Sequence, residues 1–556
     1  LKSRGLKIGV WVLMMTMLWG YAAPVFAKEA DKKTWGEAPA RFSWDKPGPS
    51  SSVLHKGPPE TAGMVHSPLN EIDRAVNEAI ARKVMPGAVV LVARKGAVVK
   101  EQAYGYAYRY TDDQYTEAPD PAAAKTNTIY DIASISKLFT SIAAMQLYEK
   151  GKFTLEDPVA KYIPEFAENG KESVTIRGLM THTSGFEAGI PVYKMGTSRE
   201  DRLEIVLKHG LANPPGTVYT YSDLNMITLG VLVERLSGQR LDAYVKDHIT
   251  NPLGMKDTMY NPPASLKQRI AATEYQTWTD RGLIRGQVHD ENAWALGGVA
   301  GHAGVFSTAH DLAVLAQTIL QQGKYGSTRI LKASTVQLME QNLNSAFPGD
   351  DHGLGFELNQ GWYMDAFADM NTMGHTGYTG TSIVISPKNQ TIVILLTNRV
   401  HPTRDTVSTN GIRRTVARLA ADAIPVAIPG KKQAWFAGYG DNNEFVLQTE
   451  VSLNKPAVLR FQTWYRIEQN ADWGRVQASK DGKTWTTLGE DLTGSSGTWK
   501  QISCPLPEGT KYLRFVYETD GSVNGRGWYV LKPEVIAGGQ PIKAVFTSTG
   551  WALRNR

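Results

Sequence analysis

Ser134-Ile135-Ser136-Lys137 is the stretch on which the fold turns. It follows Ile129-Tyr130-Asp131 and leads into a helical pattern over residues 138–148. On a helix, positions i and i+3 share a face, which puts the Lys137 side chain beside the Ser134 hydroxyl. The helix N-terminus adds free N–H groups and positive potential. A serine nucleophile needs a base and an oxyanion site, and this geometry can supply both. The four-residue pattern alone is weak: Ser43-x-x-Lys46 and Ser452-x-x-Lys455 also match it. Context has to separate them.

Upstream, Ser67-Pro68 starts a helix carrying Leu69, Ile72, Val76 and Ile80 at helical spacing, with Gly87 ending it. Residues 88–92 and 97–99 read as strands around the turn Arg94-Lys95-Gly96. Helical patterns dominate residues 134–340, including 202–209, 226–236 and 311–322. A second hairpin, 382–385 and 391–395, flanks Pro387-Lys388-Asn389-Gln390, and a helix over 412–423 follows. Strands at both ends with helices between predict one α+β domain whose sheet gathers the two ends. Pro425 and Pro429-Gly430 mark a linker. Beyond it lie seven of the 14 tryptophans and short alternating runs at 458–464, 474–479 and 511–517, which predict an antiparallel β-sandwich.

Several catalytic patterns are absent: no GxSxG elbow, no HExxH, no phosphate-binding GxxxxGK[ST]. The 11 histidines are scattered, so neither a metal site nor a cofactor is expected. What the chain does contain, in order, is Ser134-x-x-Lys137, then Tyr221-Ser222-Asp223 after Pro214-Pro215-Gly216, then His375-Thr376-Gly377 before the second hairpin. Pro86-Gly87-Ala88, His182-Thr183-Ser184-Gly185, residues 301–308 and Gly353-Leu354-Gly355 accompany them. On these residues the stretch 57–425 resembles the serine β-lactamase and penicillin-binding protein superfamily. The likeness is to its class C β-lactamase-like branch, with D-alanyl-D-alanine peptidases and esterases. The resemblance implies an antiparallel sheet flanked by helices, with a helical subdomain.

The resemblance implies roles too. Ser134 attacks the substrate carbonyl and is acylated, and Lys137 and Tyr221 share the general-base work. The backbone N–H groups of Ser134 and Tyr378 form the oxyanion hole. His375, Thr376 and Gly377 line the strand beside the substrate. Holding an ordinary lysine neutral at pH 7 costs about 4.6 kcal/mol and an ordinary tyrosine ionised about 4 kcal/mol. Desolvation lowers the first cost and a nearby ammonium the second, so either residue can be the base. Two departures stand out. Asp223 occupies a position where the branch usually has Asn; an ionised Asp only accepts hydrogen bonds, and it is placed to salt-bridge Lys137, favouring Tyr221 as base and repelling an anionic substrate. His375 replaces the Lys of most penicillin-recognising enzymes and is mostly neutral at pH 7 unless a substrate carboxylate raises its pKa. This His resembles that of certain D-alanyl-D-alanine peptidases and D-amino-acid amidases, which makes antibiotic hydrolysis a side activity at best.

His289, Asn292 and His302, around the Gly-rich run 297–301, are candidates for the cleft rim. The C-terminal module resembles the β-sandwich of secreted immune-inhibitor-type metallopeptidases, on residues 472–476, 479–485, 519–521 and 525–529. Glycan contact through its tryptophans is an expectation, set against their packing in a core.

The remaining features bound the setting. Residues 1–27 read as a secretory signal: Lys2, Arg4 and Lys7, an apolar run from Ile8 to Tyr21, then Val25-Phe26-Ala27. Removing that segment, which holds no acid, takes the net charge from +6 to +3, too little to suggest nucleic acid as partner. No other stretch is long enough to span a bilayer. One cysteine, Cys504, forbids an intramolecular disulfide. The expected organisation is signal 1–27, Pro/Ser-rich linker 28–60, hydrolase domain 61–425, linker 426–431, jelly-roll-like β-sandwich 432–540 and tail 541–556. The expected protein is a secreted or envelope-associated bacterial serine hydrolase acting through an acyl-enzyme on D-alanyl-D-alanine cell-wall peptides. An esterase of the same fold and a non-catalytic cell-wall sensor are the rivals.

Overall fold

The computed structural model describes residues 50–556. The signal reading and most of the first linker therefore lie outside the described residues. The last part of that linker is docked: His55–Lys56 pairs in parallel with Ala97 and Val98 at the edge of the main sheet. The first helix, His66–Ala81, buries Leu69, Ile72, Val76 and Ala79 along one face. It stops six residues before Gly87, contrary to the sequence expectation. Gly87 instead opens a strand, where the Tyr106 carbonyl oxygen lies 2.4 Å from the position a Cβ would take, so only glycine fits.

The main sheet runs in the order His55–Lys56, Ala97–Tyr110, Gly87–Arg94, Thr391–Thr397, Ser382–Ser386, Met373–Thr376, Glu357–Leu358. All pairings after the first are antiparallel, and the two hairpins expected from sequence are adjacent in it. Its central strands are buried along their whole length because helices cover both faces. Val90, Val92, Val384, Val393 and Leu395 face Ile72, Val76, Val416 and Ala420 of the helices His66–Ala81 and Asn410–Asp422. The alternate residues Val89, Leu91, Ile383, Ile385, Ile392 and Ile394 face a larger core. That core also takes in Leu138 and Ile142 of the helix Ser136–Glu149, Leu224 and Leu232 of Asp223–Ser237, and Leu312 of Ala309–Leu320. The strand period of two thus divides one sheet between two cores.

Beyond residue 431 the chain forms two antiparallel sheets around a third core of Leu447, Leu459, Phe461, Phe515, Tyr517, Trp528 and Trp551. Residues 541–556, read from sequence as a tail, supply strands instead: Thr547–Thr549 pairs with Glu444–Glu450 and Trp551–Arg554 with Ala434–Ala437. The stretch read as a linker at 426–431 is partly core, with Val426 and Ile428 buried. The second core runs on through Ala434, Phe436, Trp464 and Tyr529 of the C-terminal sheets.

A buried ion cluster reinforces this junction. Asp422, at the end of Asn410–Asp422, lies 2.8 Å from both Arg526 and Arg554 and 3.7 Å from Arg556. Burial works against its charge, but the three guanidinium groups hold its carboxyl well below the usual carboxylate range. None of the seven C-terminal tryptophans is exposed: Trp464, Trp528 and Trp551 are buried, and the partly buried Trp499 donates its Nε1–H to the Ala427 carbonyl. Cys504 is buried, as its lone apolar setting predicts. Among the described residues no helix is long and apolar enough to cross a membrane.

Candidate active site

The turn carrying Ser134 is pinned from below by Asp131. This buried carboxylate accepts from the Ala133 N–H at 2.9 Å and the His289 N–H at 2.6 Å. Ala133 has φ +47°, the left-handed region that disfavours any residue with a Cβ. A single 3₁₀ turn, Ala133–Ile135, then feeds the helix Ser136–Glu149. Ser134 sits at that entry, on a strained turn held by a buried acid, and its side chain opens into a cleft of about 570 Å³.

Lys137 lies one helical turn on, almost wholly buried. Its Nζ donates to Ser134 Oγ at 2.8 Å and to the His302 carbonyl at 3.3 Å, and pairs with Asp223 Oδ1 at 2.8 Å. Burial disfavours its charge, yet Asp223 and the nearby Tyr221 outweigh burial, and its pKa is raised above the ordinary lysine value. The salt bridge expected from the Asn-to-Asp departure is therefore present. Asp223 is the first residue of the helix Asp223–Ser237, where the positive end of the helix dipole favours an acid.

Tyr221 precedes that helix and is held by His182. The His182 carbonyl accepts from the Thr220 N–H at 2.9 Å, its Nδ1 accepts from the Ser222 N–H at 3.1 Å, and its ring lies 4.7 Å from that of Tyr221. Burial keeps His182 neutral, well below the usual histidine value. The Lys137 Nζ lies 4.7 Å from the Tyr221 ring centre. That ammonium does not win: burial pushes the Tyr221 phenol up to about 12. The expectation that the ammonium would lower it fails because the hydroxyl is enclosed. Lys137 and Tyr221 are thus both protonated at rest. Phenolate formation at pH 7 costs on the order of 7 kcal/mol, more than for a free tyrosine.

The strand Met373–Thr376 forms the opposite wall. His375 is buried, with Nδ1 bonded to its neighbour's carbonyl, Thr376 O, at 2.8 Å. Burial, then the Lys137 charge, lowers its pKa to about 3. Thr376, Gly377 and Tyr378 line the cleft with Ser134 and Tyr221. A Cβ on Gly377 would lie 2.4 Å from the Ile132 carbonyl oxygen, so glycine lets this wall close on the nucleophile turn. The Tyr378 ring is half exposed, stacked on His289 with centres 5.7 Å apart. Arg413, from the helix Asn410–Asp422, donates to the carbonyls of Gly377 at 2.7 Å and Thr381 at 2.9 Å, fixing the loop beyond the strand.

The rim candidates divide. His289 is buried and bonded to Glu274 at 2.9 Å, a carboxyl that His289 and Arg404 hold down to about 2 against burial. Asn292 bonds the backbone of Ile190 and Tyr193 and does not line the cleft. His302 reaches the catalytic group through its carbonyl, and its Nε2 meets Asp290 at 2.8 Å. Burial opposes its charge, but Asp290 and Asp223 raise its pKa.

Two groups among the described residues have spacing compatible with a metal ion, although the sequence suggested none. They are Asp223, Asp290 and His302, and Glu468, Asp472 and Asp520 in the C-terminal sheets. In the first, the Lys137 ammonium is already the cation paired to Asp223. The sequence reading passed over Ala133, Asp131, Asp290 and Glu357, which touch or line the site. Only Asp131 had a local signal, its place just before the nucleophile turn.

The beta-lactamase family model matches residues 72–418. A protein of Escherichia coli strain K12 named "Putative D-alanyl-D-alanine carboxypeptidase" is 35% identical over 381 residues, covering 63% of this chain and 86% of its own. One of the same name from Salmonella agona strain SL483 is 35% identical over 382 residues, covering 63% and 87%. Among solved structures, EstCE1, described as a hydrolase with promiscuous acyltransferase activity, superposes with TM-score 0.50 at 23% identity over 64% of this chain and 98% of its own. A simvastatin synthase mutant from Aspergillus terreus does so with TM-score 0.50 at 21% identity over 65% and 98%. These two share the fold. The chain is a serine hydrolase of the beta-lactamase family.

Proposed function

We propose that this hydrolase is a D-alanyl-D-alanine peptidase acting on cell-wall stem peptides, outside the cytoplasm, through an acyl-enzyme on Ser134. The observation that carries the reading is the 2.8 Å contact of Lys137 Nζ with Ser134 Oγ, in a cleft also lined by Tyr221 and Thr376 to Tyr378. Lys137 remains an ammonium, orienting Ser134 and stabilising charge near it. Tyr221, with the lower proton affinity of the two, acts from the minor state in which its own proton has left to solvent, at the cost given above; as a phenolate it takes the serine proton as Oγ attacks the carbonyl, then passes it to the leaving amine. On this reading the amides of Ser134 and Tyr378 receive the oxyanion. The relatives' printed name supports the peptide substrate.

A second reading is favoured by one observation: His375 is neutral and offers no cation to a terminal carboxylate. An esterase cleaving small acyl esters needs no such cation. Incubating the purified chain with a D-alanyl-D-alanine peptide and with a short p-nitrophenyl ester, beside Ser134→Ala, separates the two. The peptidase reading expects D-alanine release that Ser134→Ala abolishes. Brisk ester turnover with no D-alanine release establishes the esterase.

A further inference from the structure

The C-terminal sheets touch the segment that builds one wall of the cleft. Residues 359–372 connect the strands Glu357–Leu358 and Met373–Thr376, each of which contributes a residue to the cleft lining. This connection carries Gln360 and Trp362, which line the cleft as well. The Trp362 Nε1–H donates to Gln360 Oε1 at 3.0 Å, and Gln360 Nε2 donates to the Leu358 carbonyl at 2.9 Å. The two side chains thus form one surface tied back to the strand.

The C-terminal part grips this connection at two points. At its far end Arg466 donates to the Ala368 carbonyl at 2.6 Å and pairs with Asp369 at 3.5 Å. At its near end Val523 covers Gly361, the residue before Trp362: a Cβ on that glycine would lie 3.2 Å and 3.3 Å from the two Val523 methyl groups. Val523 is held there against its backbone preference. Its φ is +38°, in the left-handed region that a β-branched residue rarely enters. The fully buried Asn524 beside it does the holding. Its Oδ1 accepts from the Gly440 N–H at 2.9 Å and from Arg418 of the helix Asn410–Asp422, while its Nδ2 donates to the Gly440 carbonyl at 3.2 Å. Such strain persists only where the surroundings over-determine it, and it gathers at sites where position matters.

We propose that Val523 is a positioning residue for substrate selection: pressed on Gly361, it sets the Gln360–Trp362 wall, and that wall selects substrates whose acyl part is long enough to lie along it. Ser134, Lys137 and Tyr221 stand on other elements, so the chemical step on a short acyl group does not depend on this contact. The inference rests on hydrolysis at Ser134 and holds for a peptide and an ester alike.

The test measures kcat and KM of the full chain on p-nitrophenyl acetate and p-nitrophenyl 4-phenylbutyrate, which share a leaving group and differ in acyl length. Val523→Gly keeps the left-handed backbone without strain and removes both methyl groups. Gly361→Ala instead adds a Cβ against them. Each variant should lower kcat/KM for the longer ester about tenfold, through KM, and leave the acetate within about twofold. Combining them makes room for the new methyl group, and the longer ester should recover to within about threefold of the unmodified chain. A loss shared equally by both esters, an unchanged longer ester in Val523→Gly, a double variant worse than either single one, or no turnover of either ester overturns the role. Failure of the peptidase reading shows separately, as absent D-alanine release from a D-alanyl-D-alanine peptide while the selection by acyl length persists.

Discussion

Asp223 Oδ1 lies 2.8 Å from Lys137 Nζ, and this ion pair fixes the protonation state in which the nucleophile rests. Asp223 also raises the Tyr221 phenol, so Asp223→Asn lowers the proton affinity of the base. The ascending limb of kcat/KM against pH, measured with a p-nitrophenyl ester, is then expected to move down by about one unit or more, or about 1.4 kcal/mol. An unmoved limb means that ionisation of Tyr221 does not govern it.

Ser134→Ala removes the attacking oxygen, and Tyr221→Phe removes the hydroxyl that receives its proton. Turnover is expected to fall about 10³-fold or more for the first and roughly 10²–10⁴-fold for the second. Thermal melting should leave both within about 1–2 °C of the parent, because neither change empties a core position. Tyr221→Phe retaining full kcat would return the base role to Lys137.

Stability should depend on pH in a direction set by five acids that hold protons more tightly when folded. Burial raises Glu357 and Glu468 to about 7 and Glu340, Asp365 and Asp472 to about 6, with acidic neighbours adding to the rise at Glu468, Asp365 and Asp472. The unfolded chain releases those protons near pH 4. Their contribution is therefore full below that value and lost as pH rises through 6 to 7. Asp422 and Glu274 are lowered, so theirs is present above about pH 4.5 and lost on acidification. The buried histidines His182, His352, His375 and His401 are lowered and oppose this trend up to about pH 6.5. Calorimetry should therefore show the acids' decline as a Tm loss of about 1–2 °C between pH 6.5 and 8. A Tm rising from pH 6.5 to 8 contradicts these assignments.

Arg526→Met, at a side chain that is 1% exposed, leaves Asp422 short of one buried partner. Breaking such a pair costs about 3–5 kcal/mol. Urea unfolding should show that loss in a single transition spanning both cores. Two separate transitions would mean that the catalytic and C-terminal parts unfold independently.

The catalytic pair was legible because its geometry is local: three residues of helix set Ser134 beside Lys137, and tertiary packing only had to preserve it. Likewise the hairpins 88–99 and 382–395 announced themselves by short β-branched apolar runs around tight turns. Proton affinities were not legible. That of Tyr221 depends on enclosure by His182, 39 residues away, and by cleft walls further along the chain. Glu357 hid inside the run Gly355-Phe356-Glu357-Leu358, where a lone acid looks like a surface residue of a strand. The strands after residue 540 were not legible, because Thr547–Thr549 is exposed along its whole length and Trp551–Arg554 carries no apolar alternation.

The helix Asn410–Asp422 bears Arg413 in the cleft at one end and, at the other, a carboxylate whose partners include Arg554, 132 positions further along the chain. Until that arginine has been synthesised, the last helix of the hydrolase ends on an acid short of its counter-charges. A chain still being extended therefore carries that helix with the charge at its end not yet neutralised.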